Sequence, residues 1–260
     1  MRILLALWLN CFIVGSVLLA EEKPRAAVES PRSATEPLRV AIYDDAGVGG
    51  KGPENLERAL TKEHGFTTSR VKAVDIRAGI LDKFDVVIHP GGSGGGQGRN
   101  LGETGRTLER EFLRKGGGYV GICAGAYLAS ADYTWSLHLL DAKVLDRKHW
   151  NRGNGDVQLL FTGCGREFHG ASTEQVTVRY AQGPLLAPAG KAEIPDYEEL
   201  AKFETEVVKN GASPGVMKGT TAAARGRFGQ GRVFCYSPHP ESYGNLDHYI
   251  QAAVRWTATQ

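Results

Sequence analysis

Two distant segments of the chain carry residue types that could act together on a carbonyl group. Gly121-Ile122-Cys123-Ala124-Gly125 sets a cysteine between two glycines, after a short apolar run and before a helix-forming stretch. This is the cysteine form of the nucleophile elbow, a strand-to-helix turn so tight that only glycine fits two residues before and two after the nucleophile. The turn lifts the thiol clear of the sheet, over the N-terminus of the next helix, where backbone N–H groups and the helix dipole favour a thiolate. Far downstream, Ser237-Pro238-His239-Pro240-Glu241 supplies an imidazole and a carboxylate. In an extended segment stiffened by Pro240, the two-residue offset points His239 and Glu241 the same way. Glu241 is then expected to hold one ring nitrogen while the other faces the thiol. Cys123 as nucleophile, His239 as acid and base, and Glu241 as orienter make a covalent acyl-transfer site.

An acyl intermediate also needs donors for its oxyanion. The N–H of Ala124, directly after the nucleophile, is one. The second is assigned to Gly92 or Ser93, in the run Pro90-Gly91-Gly92-Ser93-Gly94-Gly95-Gly96, because a glycine-rich backbone can approach a substrate closely. The run reads poorly as a phosphate loop, since it lacks Gly-Lys-Ser/Thr and the next helix is expected only from Thr104. Tyr127 is a substrate-side candidate, over the site or in the core beneath it. Residues 149–153 and 180–184 are candidate pocket walls. His89 reads as structural, and His138, His169 and His248 show no partner in the sequence.

The elements that must position these groups follow from apolar patterning. Strands are expected at 38–43, 66–71, 84–89 and 119–122. Helices are expected at 53–63, 104–115 and 124–130, with a short helical or irregular link at 74–81. This alternation implies a mostly parallel sheet covered on both faces, a flavodoxin-like three-layer α/β/α sandwich over residues 38–260. Ligands of such sheets sit at the carboxyl ends of strands. Gly92, Ser93 and Cys123 fall at such ends. Further strands are expected at 142–145, 157–161, 175–180, 204–209, 215–221 and 231–236, with a closing helix at 247–257.

The order of these motifs resembles the class I glutamine amidotransferase-like superfamily, in which a Cys-His-Glu triad attacks a side-chain amide through a thioester. The stretch from Gly116 to Ser130, together with Tyr180-Ala181-Gln182-Gly183-Pro184, is similar to the N-terminal domain of eukaryotic biotin–protein ligases and its stand-alone bacterial relatives. The resemblance covers about residues 38 to 256. It implies no biotin ligation, because no ligase catalytic domain is present. Glutaminases of the superfamily follow the elbow with Gly-x-Gln, whereas this chain has Gly125-Ala126-Tyr127. The resemblance thus implies triad chemistry on a substrate that need not be glutamine.

Composition narrows the remaining choices. A net charge of +2 over 260 residues gives no electrostatic case for nucleic acid. Residues 1–20 read as a secretory signal, with Arg2 ahead of an apolar run and Ala20 before Glu21-Glu22; an uncleaved anchor is the alternative. Residues 21–37 read as a disordered tether. Export to the periplasm or medium is therefore expected, with no membrane contact beyond the signal segment. Cleavage would leave Cys123, Cys164 and Cys235. A Cys164–Cys235 disulfide with Cys123 free is one arrangement compatible with an oxidising compartment. No zinc-ligand spacing is present, and the chemistry requires neither metal nor organic cofactor.

Two function classes compete. The first is a cysteine hydrolase or amidotransferase-like enzyme acting on a small-molecule or peptide amide or acyl substrate. The second is a non-catalytic binding or sensing module on the same scaffold. A redox reading, with Cys123 oxidised to a sulfenic acid and Asp44 or Asp45 as the helping acid, is a third. The sequence does not give the oligomeric state.

Overall fold

Alternating side chains on short strands build two apolar faces on one sheet. In strand β1 (Leu38–Tyr43), Val40 and Ile42 point to one face, and Ala41 and Tyr43 to the other. The computed structural model describes residues 36–259. The expected signal segment and nearly all of the tether lie outside the described residues. The chain divides into residues 1–35 and 36–260, and the sheet with all its helices belongs to the second unit.

In chain order, β1 is followed by α1 (Gly52–Ala59), β2 (Phe66–Val71), α2 (Ala73–Arg77), β3 (Val86–His89), α3 (Gly94–Arg114), β4 (Gly118–Ile122) and α4 (Ala124–Ala129). Then come β5 (Ala142–Leu145), β6 (Asn154–Phe161), α5 (Gly163–His169), β7 (Gln175–Ala181), β8 (Leu185–Pro188), β9 (Glu198–Phe203), β10 (Thr221–Phe228), β11 (Gly231–Tyr236) and α6 (Asp247–Ala258). The strand order is β2-β1-β3-β4-β11-β10-β9-β6-β7, with β8 joining β10 to β5. The first five strands of that order are mutually parallel. The others extend the sheet in antiparallel fashion. Leu56 and Leu60, in and just after α1, and Ile250 and Val254 of α6 cover one face of the parallel part. Ile76 of α2, Leu101 and Leu113 of α3, and Leu128 of α4 cover the other. The architecture is the three-layer α/β/α sandwich with a parallel core.

Several expected elements are displaced. Helix α3 begins ten residues before the expected Thr104. Ser93 caps it, its hydroxyl accepting from Gly96 N–H at 3.0 Å. The helix kinks at Gly102 (φ 64, ψ 179). Carbonyls freed at the kink accept from arginines: Gly98 O from Arg106 at 2.8 Å, and Asn100 O from Arg77 at 2.7 Å. The strand expected at 204–209 is instead loop following β9, and that expected at 215–221 is loop up to Thr221, where β10 begins. Val207 and Met217, apolar residues within those two spans, are both buried. They plug the core from a loop, with Val207 N–H pointing at the Met217 sulfur at 3.4 Å. The three described cysteines are free, so Cys164 and Cys235 do not pair. Cys235 lies in the core on one side of the sheet, while Cys164 packs against the core on the other.

Helix α5 docks on β9 through a glycine. A Cβ on Gly165 would stand 1.8 Å from Leu200 O, whereas one on the exposed Gly163 would meet nothing within 4 Å. Gly165→Ala should therefore cost about 1–3 kcal/mol through backbone displacement. Gly163→Ala should change stability by less than about 1 kcal/mol. Urea midpoints of the two variants check this, and equal midpoints would refute it.

Candidate active site

Parallel strands β3, β4 and β11 are neighbours, so their carboxyl ends open on one rim. At the end of β4 the chain reverses through Cys123, which has φ 51 and ψ −97. Such a conformation in a residue with a Cβ costs about 1–3 kcal/mol and persists only where surroundings enforce it. Here Cys123 N–H donates to Tyr236 O at 2.8 Å, and Cys123 O accepts from Tyr127 N–H at 3.1 Å. The flanking glycines are sterically required. A Cβ on Gly125 would lie 2.1 Å from His89 O, and one on Gly121 would lie 2.6 Å from the Gly125 backbone. The elbow read from the sequence is present.

Strand β11 delivers His239 to the same rim, where its N–H donates to Arg179 O at 2.8 Å. The segment beyond it is not extended as expected: Pro240–Ser242 form a 3-10 turn. The turn still brings Glu241 Oε1 to 2.8 Å from His239 Nδ1. Arg58 anchors the turn by donating to Glu241 O at 2.7 Å while pairing with Asp247 at 2.8 Å. Glu241 is buried. His239 Nε2 is buried with no hydrogen-bond partner among the described residues. The Cys123 thiol instead donates to Ala181 O at 3.4 Å. Burial alone lowers the pKa of His239, but the Cys123 sulfur, when ionised, and the Glu241 carboxylate beside the ring outweigh it and hold the imidazole well above the usual histidine range.

The glycine-rich loop separates the two second-donor candidates. Gly92 (φ 135) forms an antiparallel bridge with Val48. Ser93 N–H is engaged with Gly47 O at 2.7 Å, so it is not free for an oxyanion. Gly92 N–H and Ala124 N–H donate to no backbone carbonyl among the described residues. Tyr127 sits beside the site rather than deep beneath it: its hydroxyl donates to Gln182 O at 3.2 Å. Tyr180 likewise donates to Gly183 O at 2.8 Å. Three successive carbonyls, of residues 181, 182 and 183, are thus held by Cys123, Tyr127 and Tyr180. Asn151 ties this wall down by accepting from the Gln182 amide. Arg152 is buried against Asp146 at 2.8 Å, and His149 pairs with the same carboxylate, so the 149–153 segment backs the wall.

A cavity of about 320 Å³ is lined by Cys123, His239, Glu241 and Gly92. Lys51, Asn55, Asn154 and Arg179 also line it, and the sequence reading missed them. For Lys51 a signal existed, its place in the glycine-rich loop after β1. Asp44 and Asp45, the acids of the redox reading, are engaged elsewhere, with Arg70 at 3.0 Å and with the N–H groups of Ala46 and Ala73. A larger hollow of about 730 Å³ beside α3 contains none of the candidate groups. Among the described residues no cluster of His, Cys, Asp and Glu could hold a metal ion, and no helix is long and apolar enough to cross a membrane.

The fold has known counterparts. A chain of the PurLQS structure from Thermotoga maritima superposes with a TM-score of 0.60 at 18% identity, over 85% of this chain and 99% of that one. A glutamine amidotransferase crystal structure gives 0.55 at 19%, over 83% and 97%. A ThuA-like protein from Parabacteroides merdae gives 0.56 at 12%, over 86% and 91%. The fold is glutamine amidotransferase-like. Residues 39–151 match the family model described as biotin-protein ligase, N terminal. That match contains the glycine-rich loop and the elbow and ends before β6. A sequence comparison with curated proteins found no match.

The raised pKa of His239 carries a sign for stability. The folded state holds a proton that the unfolded ring releases near 6.5, so the contribution is full below that pH and fades as pH rises through the higher folded value. Glu241→Gln removes part of the cause. The urea-midpoint gap between wild type and Glu241→Gln should therefore be widest in mild acid and shrink on going alkaline. A gap that grows with pH would contradict this.

Proposed function

We propose that the protein is a cysteine-dependent hydrolase or amidotransferase-like enzyme acting on an amide or related acyl bond. The observation that carries this reading is the strained elbow placing Cys123 on the rim where Glu241 holds His239 Nδ1 at 2.8 Å. The Cys123 sulfur attacks the carbonyl carbon after its proton passes to His239 Nε2. The resulting oxyanion accepts from Ala124 N–H and Gly92 N–H. His239 then gives its proton to the departing amine, leaving a thioester. A water that loses its proton to Nε2 attacks the thioester; the acid departs and the thiol is restored. Glu241 keeps the ring oriented and favours its protonated form throughout. The apolar segment at 1–20 supports export of this activity.

The substrate side differs from a glutaminase. Tyr127 stands where those enzymes have glutamine, and its hydroxyl is used to hold the Gln182 carbonyl. That leaves substrate recognition to the other wall of the cavity. A binding module is the second reading, favoured by the thiol's bond to Ala181 O in place of His239.

Iodoacetamide labelling of Cys123 across pH, in wild type and His239→Ala, separates the two. The enzyme reading expects an apparent pKa well below the ~8.5 of a free thiol, lost in the variant. Slow labelling with an ordinary pKa in both proteins refutes it and leaves the binding module.

A further inference from the structure

His89 lies under the glycine-rich loop, and the acyl-transfer mechanism makes no use of it. Its ring is fully buried, stacked between Tyr43 at 4.7 Å and Tyr119 at 5.5 Å between centroids. Nδ1 is 2.9 Å from Gln97 Oε1, and Nε2 is 3.0 Å from Glu109 Oε1. The Gln97 amide orientation follows from its other bonds, since its nitrogen donates to Pro90 O at 2.9 Å and reaches Gly47 O at 3.4 Å. Its oxygen therefore accepts from His89 Nδ1–H. On the other side a bare Nε2 lone pair would repel the carboxylate, so one proton lies between Nε2 and Glu109 and the pair carries no net charge. Burying such a pair costs more than burying an apolar side chain of the same size, so stability alone does not account for it.

The contacts run to both oxyanion donors. On one side, Gln97 grips Pro90 O and Gly47 O, the latter also accepting from Ser93 N–H, while Gly49 N–H donates to Gly91 O at 3.0 Å. These bonds frame Gly92. On the other side, Tyr119, stacked on the same ring, donates its hydroxyl to Gly125 O at 2.8 Å. His89 O itself packs against Gly125. These contacts frame the first turn of α4 and hence Ala124.

We propose that His89 is a positioning residue that fixes the two oxyanion donors relative to each other, through Gln97 on the Gly92 side and Tyr119 on the Ala124 side. The proposal rests on the reading of Cys123 as an acyl nucleophile.

Two reactions at Cys123 isolate this role. Alkylation by iodoacetamide is a displacement at carbon and forms no oxyanion. Acylation by p-nitrophenyl acetate passes through a tetrahedral oxyanion and releases nitrophenolate. Both are measured in wild type, His89→Asn and Gln97→Met. Gln97→Met leaves the His89–Glu109 pair in place, so it serves if His89→Asn fails to fold. Acylation should fall by about 10- to 100-fold, short of or reaching the loss of a whole donor, while alkylation stays within about twofold. Acylation unchanged in the folded variants, or both rates falling together, overturns the positioning role and leaves the nucleophile reading intact. A wild type that the ester does not acylate overturns the acyl-transfer reading, and this inference with it.

Discussion

Everything at the rim depends on one reversal of the backbone, the turn through Cys123 at the end of β4. A turn of that kind needs close approach before and after it, and the carbonyl of His89 fills the space a Gly125 side chain would take. It also needs neighbouring strands running the same way. Because β3, β4 and β11 are parallel and adjacent, residues 92, 123 and 239 reach one edge although they are far apart in the chain. An antiparallel β11 would carry His239 to the opposite edge. The Cys123 N–H bond to Tyr236 O fastens the strained residue to the strand that supplies its imidazole. Strain and site assembly are therefore one feature.

The antiparallel half of the sheet supplies what the parallel half cannot. Strand β7 holds His239 N–H at Arg179 O, and residues 181–183, at its end and just beyond, offer carbonyls to the hydrogens of Cys123, Tyr127 and Tyr180. Surface ion pairs such as Arg166–Glu174 add little to this, because exposed charges are screened. The costly groups are inside. Among the described residues, His239 Nε2 and Glu241 Oε2 are buried without partners, at about 1–3 kcal/mol each. A fold optimised for stability alone would fill these positions with apolar side chains.

What was legible in the sequence was local. Glycine spacing around Cys123 reports short-range sterics, and apolar runs in β1, β3 and β4 report burial on two faces. The His239–Glu241 pairing was legible from proximity, although the backbone is a 3-10 turn and not an extended strand. What was hidden was long-range. The start of α3 contains Gly94, Gly95, Gly96 and Gly98, poor helix formers, and it holds because Ser93 caps it and Gly98 packs against the Trp135 carbonyl. His169 showed no partner in sequence, yet its Nε2 meets the Tyr236 hydroxyl at 2.7 Å and burial pushes its pKa down to about 4. Val207 and Met217 carried the right hydropathy for strands, but burial without a ladder of hydrogen bonds does not make one.

The thiol bond to Ala181 O and the Nε2 of His239, unpartnered among the described residues, belong to one proton placement. Nδ1 gives its hydrogen to Glu241, so Nε2 is the ring position left to take the thiol's proton. While sulfur keeps that hydrogen, it donates it to Ala181 O. Once the hydrogen has passed to Nε2, the carbonyl of Ala181 repels the thiolate and the imidazolium attracts it. Two proton placements thus correspond to two sulfur positions, one against the wall formed by residues 181–183 and one toward His239. Because Gln182 fixes that wall through Tyr127 and Asn151, the position of this carbonyl sets how readily the sulfur leaves it. Tyr127, by holding Gln182 O, therefore acts on the resting position of the Cys123 sulfur as well as on the wall of the cavity.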